Sequence, residues 1–312
     1  MQRLRRLAAR RSAREVEGCF VVEGGKVVRE ALAAGVGIES LYVDRSGLPS
    51  VGAGGGVLDL VEDAYAAGIR VFDLAPGVLA RVADTVTPQP VMAIVERMDV
   101  PLATLQPSDQ GDTIPLIVVC VDVRDPGNAG TILRSAEAAG ASGVVCCDGT
   151  VDVFSPKTVR ASAGSVFRVP VVAGGDPVAV LAELGRWGLA RLATVAHGGQ
   201  SYSEADLTVP VALVLGNEAH GLPDDVAPEL DGRLTIPMAG RAESLNAGMA
   251  AAVICFEAAR QRRQLTPGAP NPGAAPPAPA GAGAPPTPAG AGAPAAHASG
   301  RSAEPLPMGV TR

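Results

Sequence analysis

The sequence predicts an α/β fold built on a mostly parallel sheet, and two observations predict it. Apolar residues make up 47% of the 312 residues while aromatic ones make up only 3%. The interior must then be filled by Ala, Val, Leu and Ile, which suits buried strands flanked by Ala-rich helices. β-Branched runs alternate with helical periods through the second half of the chain, as in a sheet covered on both faces. No apolar stretch reaches the ~18 residues of a membrane span and no secretion-signal core stands at the N-terminus. The expected location is the cytoplasm, with no membrane partner.

The first unit, residues 1–97, opens with a basic helix carrying Arg3, Arg5, Arg6, Arg10, Arg11 and Arg14. It continues through CFVVEGGKVVREALAAG, LYVD, IRVFDLA and VMAIVE, a small βαβ-like alternation. Residues 98–113 are polar, contain prolines, lack a period and read as a linker. The second unit, 114–265, is more regular. Strand PLIVVCVDV leads to a helix from Gly130 to Ala139, strand GVVCCD, a helix from Pro156 to Ala161, strand FRVPVV and a helix from Val178 to Trp187. Strands ARLATVA, VALVLG and RLTIPM follow, then a long helix from Ser244 to about Gln264. From 266 to 312 the composition collapses to Ala, Pro and Gly, with twelve of the 27 prolines, and disorder is expected.

The formal charge of −6 argues against a polyanionic partner, yet six arginines crowd the first fourteen residues, and charge distribution matters more than its sum. The five cysteines (Cys19, Cys120, Cys146, Cys147, Cys255) are odd in number and lack C-x-x-C spacing. They read as small buried hydrophobes in a reducing compartment. Three histidines without a nearby His or Cys leave little material for a metal site or a His-based relay, so no metal is expected.

Ligands in parallel sheets bind beyond the carboxyl ends of strands, where three loops are expected: Pro126 to Gly130, Gly216 to Pro223, and Ala239 to Asn246. The first has glycines at a helix start, which suits a phosphate, but lacks G-x-G-x-x-G and a following Lys-Ser/Thr. Asn128 taken alone reads as an N-cap before it reads as a ligand. Ile132, Ala136 and Ala139 would face the sheet, leaving Arg134 about 200° away, either a solvated partner of Glu137 or a site residue. Glu218 could orient a ligand or pair with a cation such as Arg134. Ser244 or Asn246 could cap the last helix.

In this order and spacing, VDVRDPGNAGTILRSAEAAGASGVV, LVLGNEAHGLP and IPMAGRAESLNAGMAAAVICFEA resemble the signatures of the TrmH/SpoU family of RNA ribose 2′-O-methyltransferases, within the SPOUT superfamily. SPKTVRASAGSVFRVPV and VVEGGKVVREAL resemble it too. The resemblance implies a SPOUT-type domain with a trefoil knot, preceded by a small L30e-like α/β substrate-binding domain, in a homodimer that uses S-adenosylmethionine. By motif position, Asn128, Arg134, Glu218, Ser244 and Asn246 would serve catalysis. Thr194, Gly216, Asn217, Ile236 and Leu245 would line the methyl donor. Arg11, Arg14, Lys26, Arg29 and Arg160 would hold RNA. The family proposal makes the Arg134 equivalent the general base; a free guanidinium holds its proton strongly, so stabilising the forming alkoxide is the alternative. Ribosomal RNA, 23S above all, is favoured over transfer RNA, because a separate L30e-like domain resembles rRNA-acting members. A transfer RNA enzyme and a non-catalytic RNA-binding homologue remain the other readings. Ala219-His220, Gly248 and Gln89-Pro90 depart from common family residues.

Overall fold

The computed structural model describes residues 1–47, 56–83, 87–108 and 113–265; the expected tail and part of the expected linker lie outside them. Helices α1 (Gln2–Ala9) and α2 (Arg11–Glu17) come first. The single basic helix expected there is two, because Arg10 is extended at φ −119°. They lead to β1 (Cys19–Glu23), α3 (Gly25–Ala33), β2 (Ile38–Asp44), α4 (Val57–Ala66), β3 (Arg70–Leu74) and β4 (Val91–Glu96). The strands lie in the order β1-β4-β2-β3, with β4 antiparallel to β1 and β2, and β2 parallel to β3.

A second run comprises β5 (Leu116–Cys120), α5 (Pro126–Ala138), β6 (Gly143–Cys146), α6 (Pro156–Ser162), β7 (Val171–Ala173), α7 (Pro177–Arg186) and β8 (Ala190–Thr194). It ends with β9 (Gln200–Ser201), β10 (Val211–Leu215), β11 (Gly232–Thr235) and α8 (Ala247–Leu265). The expected parallel sheet is present, ordered β7-β6-β5-β10-β8-β11-β9, with every pairing parallel. Strand alternation divides its core. Leu116, Val118 and Cys120 pack with Ile132, Ala136, Ile254 and Cys255, on the α5 and α8 side. Ile117, Val119 and Val121 pack with Leu181 and Leu184 of α7.

Two expectations are corrected here. The Pro126–Gly130 loop is the first turn of α5, four residues before the expected start. Only Val171 and Val172 of FRVPVV are strand, in a β7 that runs on to Ala173, since Phe167 sits in a short 3-10 turn. Glycine sets the helix spacing: a Cβ at Gly130 would lie 2.3 Å from the Cβ of Ala161 in α6, and one at Gly248 of α8 would lie 2.8 Å from that of Thr131 in α5.

The two sheets are joined by aromatic and ionic contacts. Of the five phenylalanines, three meet here: Phe20 lies 5.0 Å from Phe154 and 6.4 Å from Phe167 between ring centroids. The Arg97 guanidinium stands 4.8 Å over the Phe154 ring. Arg14, 4% exposed, donates to Asp152 at 2.6 Å and to the carbonyls of Leu7 and Ala8. Arg160 donates to the buried Glu23 at 2.6 Å, and Arg168 pairs with Glu30.

Candidate active site

Because the strands are parallel, their carboxyl ends lie on one side, and the segments that follow them enclose a cleft of about 1170 Å³. Its walls are 124–128 after β5, 193–196 at the end of β8, 216–224 after β10 and 243–247 before α8. The ends of β5 and β10 are interlocked. Asp122 takes a left-handed backbone (φ 55°), and Asn217 Nδ2 donates to both its carbonyl and its Oδ2 at 3.0 Å. Asn217 Oδ1 accepts from the amides of Ala219 and His220, while its backbone pairs with Gly221 in both directions at 2.9 Å. A Cβ at Gly216 would stand 2.6 Å from the Gly221 carbonyl carbon, so the tight turn demands glycine.

Asp125, with Pro126 behind it, caps α5 by accepting from the Asn128 amide at 2.8 Å. Asn128 is therefore not the cap, which corrects its plainest reading. Its buried side chain instead donates from Nδ2 to Glu218 Oε1 at 2.7 Å. The Glu218 carboxylate also receives the backbone amides of Arg124 at 3.3 Å and Asp125 at 3.4 Å. Burial, the largest single influence, pushes the Glu218 carboxyl up. Hydrogen bonds from Asn128 and from the backbone of Glu218, Arg124 and Asp125 together outweigh it and hold the group below the usual range. Glu218 does not meet Arg134.

Asn246 Oδ1 accepts from the amides of Gly248 at 2.9 Å and Met249 at 3.4 Å, so it caps α8, while Ser244 is exposed in the cleft wall. Thr194, Gly216, Asn217, Ile236 and Leu245 also line the cleft. Arg134 does not. It is exposed on α5 without a hydrogen bond or ion pair to another described residue, and Glu137 accepts from Ser165 instead.

Of the expected RNA contacts, Lys26 is exposed and Arg11 pairs with Glu15 at 2.7 Å. Arg29 donates to the Gly56 carbonyl. Arg14 is corrected: buried and bonded at all three of its guanidinium nitrogens, it is withdrawn from the surface where a phosphate would lie. Arg160 is likewise turned to Glu23. Sequence reasoning missed Asp122, Arg124 and Asp125, although Asp-Pro is a cap-and-first-turn signal. All five cysteines are buried, and burial pushes the thiols of Cys147 and Cys255 up to about 12, too high for nucleophiles. Among the described residues no three His, Cys, Asp or Glu are grouped to hold a metal, and no helix is long and apolar enough to cross a membrane.

The profile of the SpoU rRNA Methylase family matches residues 115–256, and that of the MRM3-like substrate binding domain matches residues 1–93. A 23S rRNA (guanosine(2553)-2′-O)-methyltransferase of Bacillus subtilis, RlmP, is 35% identical over 239 residues, spanning 76% of this chain and 87% of that protein. This chain belongs to the SpoU rRNA methylase family. Solved SpoU structures superpose on it over most of their length. AviRb of Streptomyces viridochromogenes, in complex with AdoMet, does so with a TM-score of 0.73 and 29% identity, covering 84% of this chain and 97% of that one. The AdoMet-bound rRNA methyltransferase of Sinorhizobium meliloti gives 0.68 and 34%, covering 83% and 93%.

The SpoU cleft of this chain fits S-adenosylmethionine by its donor set. Gly216 brings a strand end to its wall, Ile236, Met238, Leu245 and Ile254 offer apolar surface for a purine, and carboxylates stand nearby for a sulfonium.

Proposed function

We propose that this SpoU-family protein methylates a ribose 2′-hydroxyl of 23S ribosomal RNA with S-adenosylmethionine as methyl donor. The observation that carries the reading is the 2.7 Å Asn128–Glu218 pair in one cleft with Ser244 and Asn246. The bound donor supplies an electrophilic methyl group on sulfur. An ionised carboxylate only accepts hydrogen bonds, so Glu218 fixes the Asn128 amide with Nδ2 toward itself. The Asn128 Oδ1 is then left to accept from an alcohol, which aligns a ribose hydroxyl for in-line displacement. Ser244 adds a hydroxyl at the cleft wall, and Asn246 holds the loop before α8.

Arg134 stabilises the alkoxide that forms as the hydroxyl passes its proton to water or to an RNA phosphate. Since Arg134 lies outside its own chain's cleft, a homodimer is the arrangement that supplies it, from a second copy. Supporting this, Met249 and Phe256, seven residues apart on α8, are 59% and 47% exposed, on a helix packed against α5. Membership of the family implies a trefoil knot, in keeping with β10 lying between β5 and β8. Residues 1–97 form the RNA-holding domain, joined by 98–113 to the methyltransferase domain, and the protein works in the cytoplasm. Lys26, Arg11 and Arg29 contribute sequence-blind phosphate contacts.

The test is transfer of labelled methyl groups to 23S, 16S and transfer RNA, with the product mapped by resistance to alkaline cleavage. Label at one 23S ribose is expected. Label on a base, or on transfer RNA alone, would overturn the reading.

A further inference from the structure

The cleft as described lacks a contact for the phosphates that any RNA brings with its ribose. Asp125, Glu218, Asp224 and Glu243 line it, and they repel a polyanion. Among the described residues its lining cations are Arg124 and Arg233. Arg233 lies within β11 and makes no hydrogen bond to the Asn128–Glu218 pair. Arg124 is part of that pair's support, because its backbone amide donates to Glu218 Oε2.

Its side chain is 71% exposed, and Nε donates to Asp122 Oδ1 at 2.8 Å. Asp122 is in turn held by Asn217. The guanidinium is thus anchored through one nitrogen, while its two terminal nitrogens have no partner among the described residues. Such a pre-oriented fork matches two phosphate oxygens and loses little side-chain freedom on binding.

We infer that Arg124 binds a phosphate flanking the ribose that is methylated, and so sets the register of the RNA strand in the cleft. This rests on the proposed RNA methylation. Asp122 prevents the arginine from folding onto Glu218 and holds it at the mouth.

The test uses the full-length protein and Arg124→Gln, which keeps a donor for Asp122 but removes the charge, with Arg124→Lys beside it. Loss of one charge-assisted contact predicts a KM for 23S RNA raised about tenfold at moderate salt. The slope of log KM against log salt should become shallower by about one. Partial rescue by lysine and unchanged affinity for S-adenosylmethionine are also expected. An unaltered KM and salt slope in Arg124→Gln would overturn the inference while the wild-type protein still methylates. Weakened donor binding with normal RNA binding would overturn it too, placing the donor's carboxylate on Arg124. A wild-type protein that methylates no RNA would overturn the reading beneath both.

Discussion

At Glu218, burial and hydrogen bonding pull in opposite directions, and hydrogen bonding prevails. Because its native pKa is lowered, its contribution to stability is complete above the ordinary value of 4.5. It is lost as pH falls through the lower native value. Glu218→Gln replaces an acceptor for three N–H groups by an amide that repels one of them, so turnover should fall about ten- to hundredfold. The variant's activity should also be indifferent to acidification in the range where the wild type declines, which a pH profile will show. Arg134→Lys keeps the charge but loses the planar fork. We expect turnover to drop about a hundredfold with calorimetric binding of S-adenosylmethionine intact. Asn128 stood out in the sequence through its ordered motif. Its chemistry did not, because the Glu218 that takes its side-chain amide lies 90 residues further along the chain.

Among elements, the buried strands β5 and β10 were legible because unbroken Val/Leu/Ile runs have no other use in a chain with few aromatics. Helix α4 escaped notice although Leu60, Val61 and Ala64 are buried along one face, since the glycines just before it read as loop. The two-residue β9 carries no periodic signal at all. The start of α5 was misplaced because Gly127 and Gly130 suggest a loop, whereas Gly130 is there for close packing on α6. Gly130→Ala would force a methyl to within 2.3 Å of the Ala161 Cβ. It should lower stability by about 1–3 kcal/mol, read as a reduced urea midpoint with an unchanged slope.

For the whole molecule, the N-terminal arginines show how composition misleads. Arg3 pairs with Glu17 and Glu39, Arg6 with Glu17, and Arg14 with Asp152, so much of the expected RNA-binding charge braces the protein itself. A sequence lists such charges without showing which carboxylates fold back onto them. Arg14→Leu leaves Asp152 without its cation at the junction of the two sheets and should cost about 3 kcal/mol, visible as a lower melting temperature. The cleft draws its walls from residues as far apart as Arg124 and Ile254, and β10 must insert between strands made earlier. A chain growing from its N-terminus therefore has no complete cleft until α8 is synthesised and docked on α5. With the methyl donor held in that cleft, as proposed, a half-made protein consumes none.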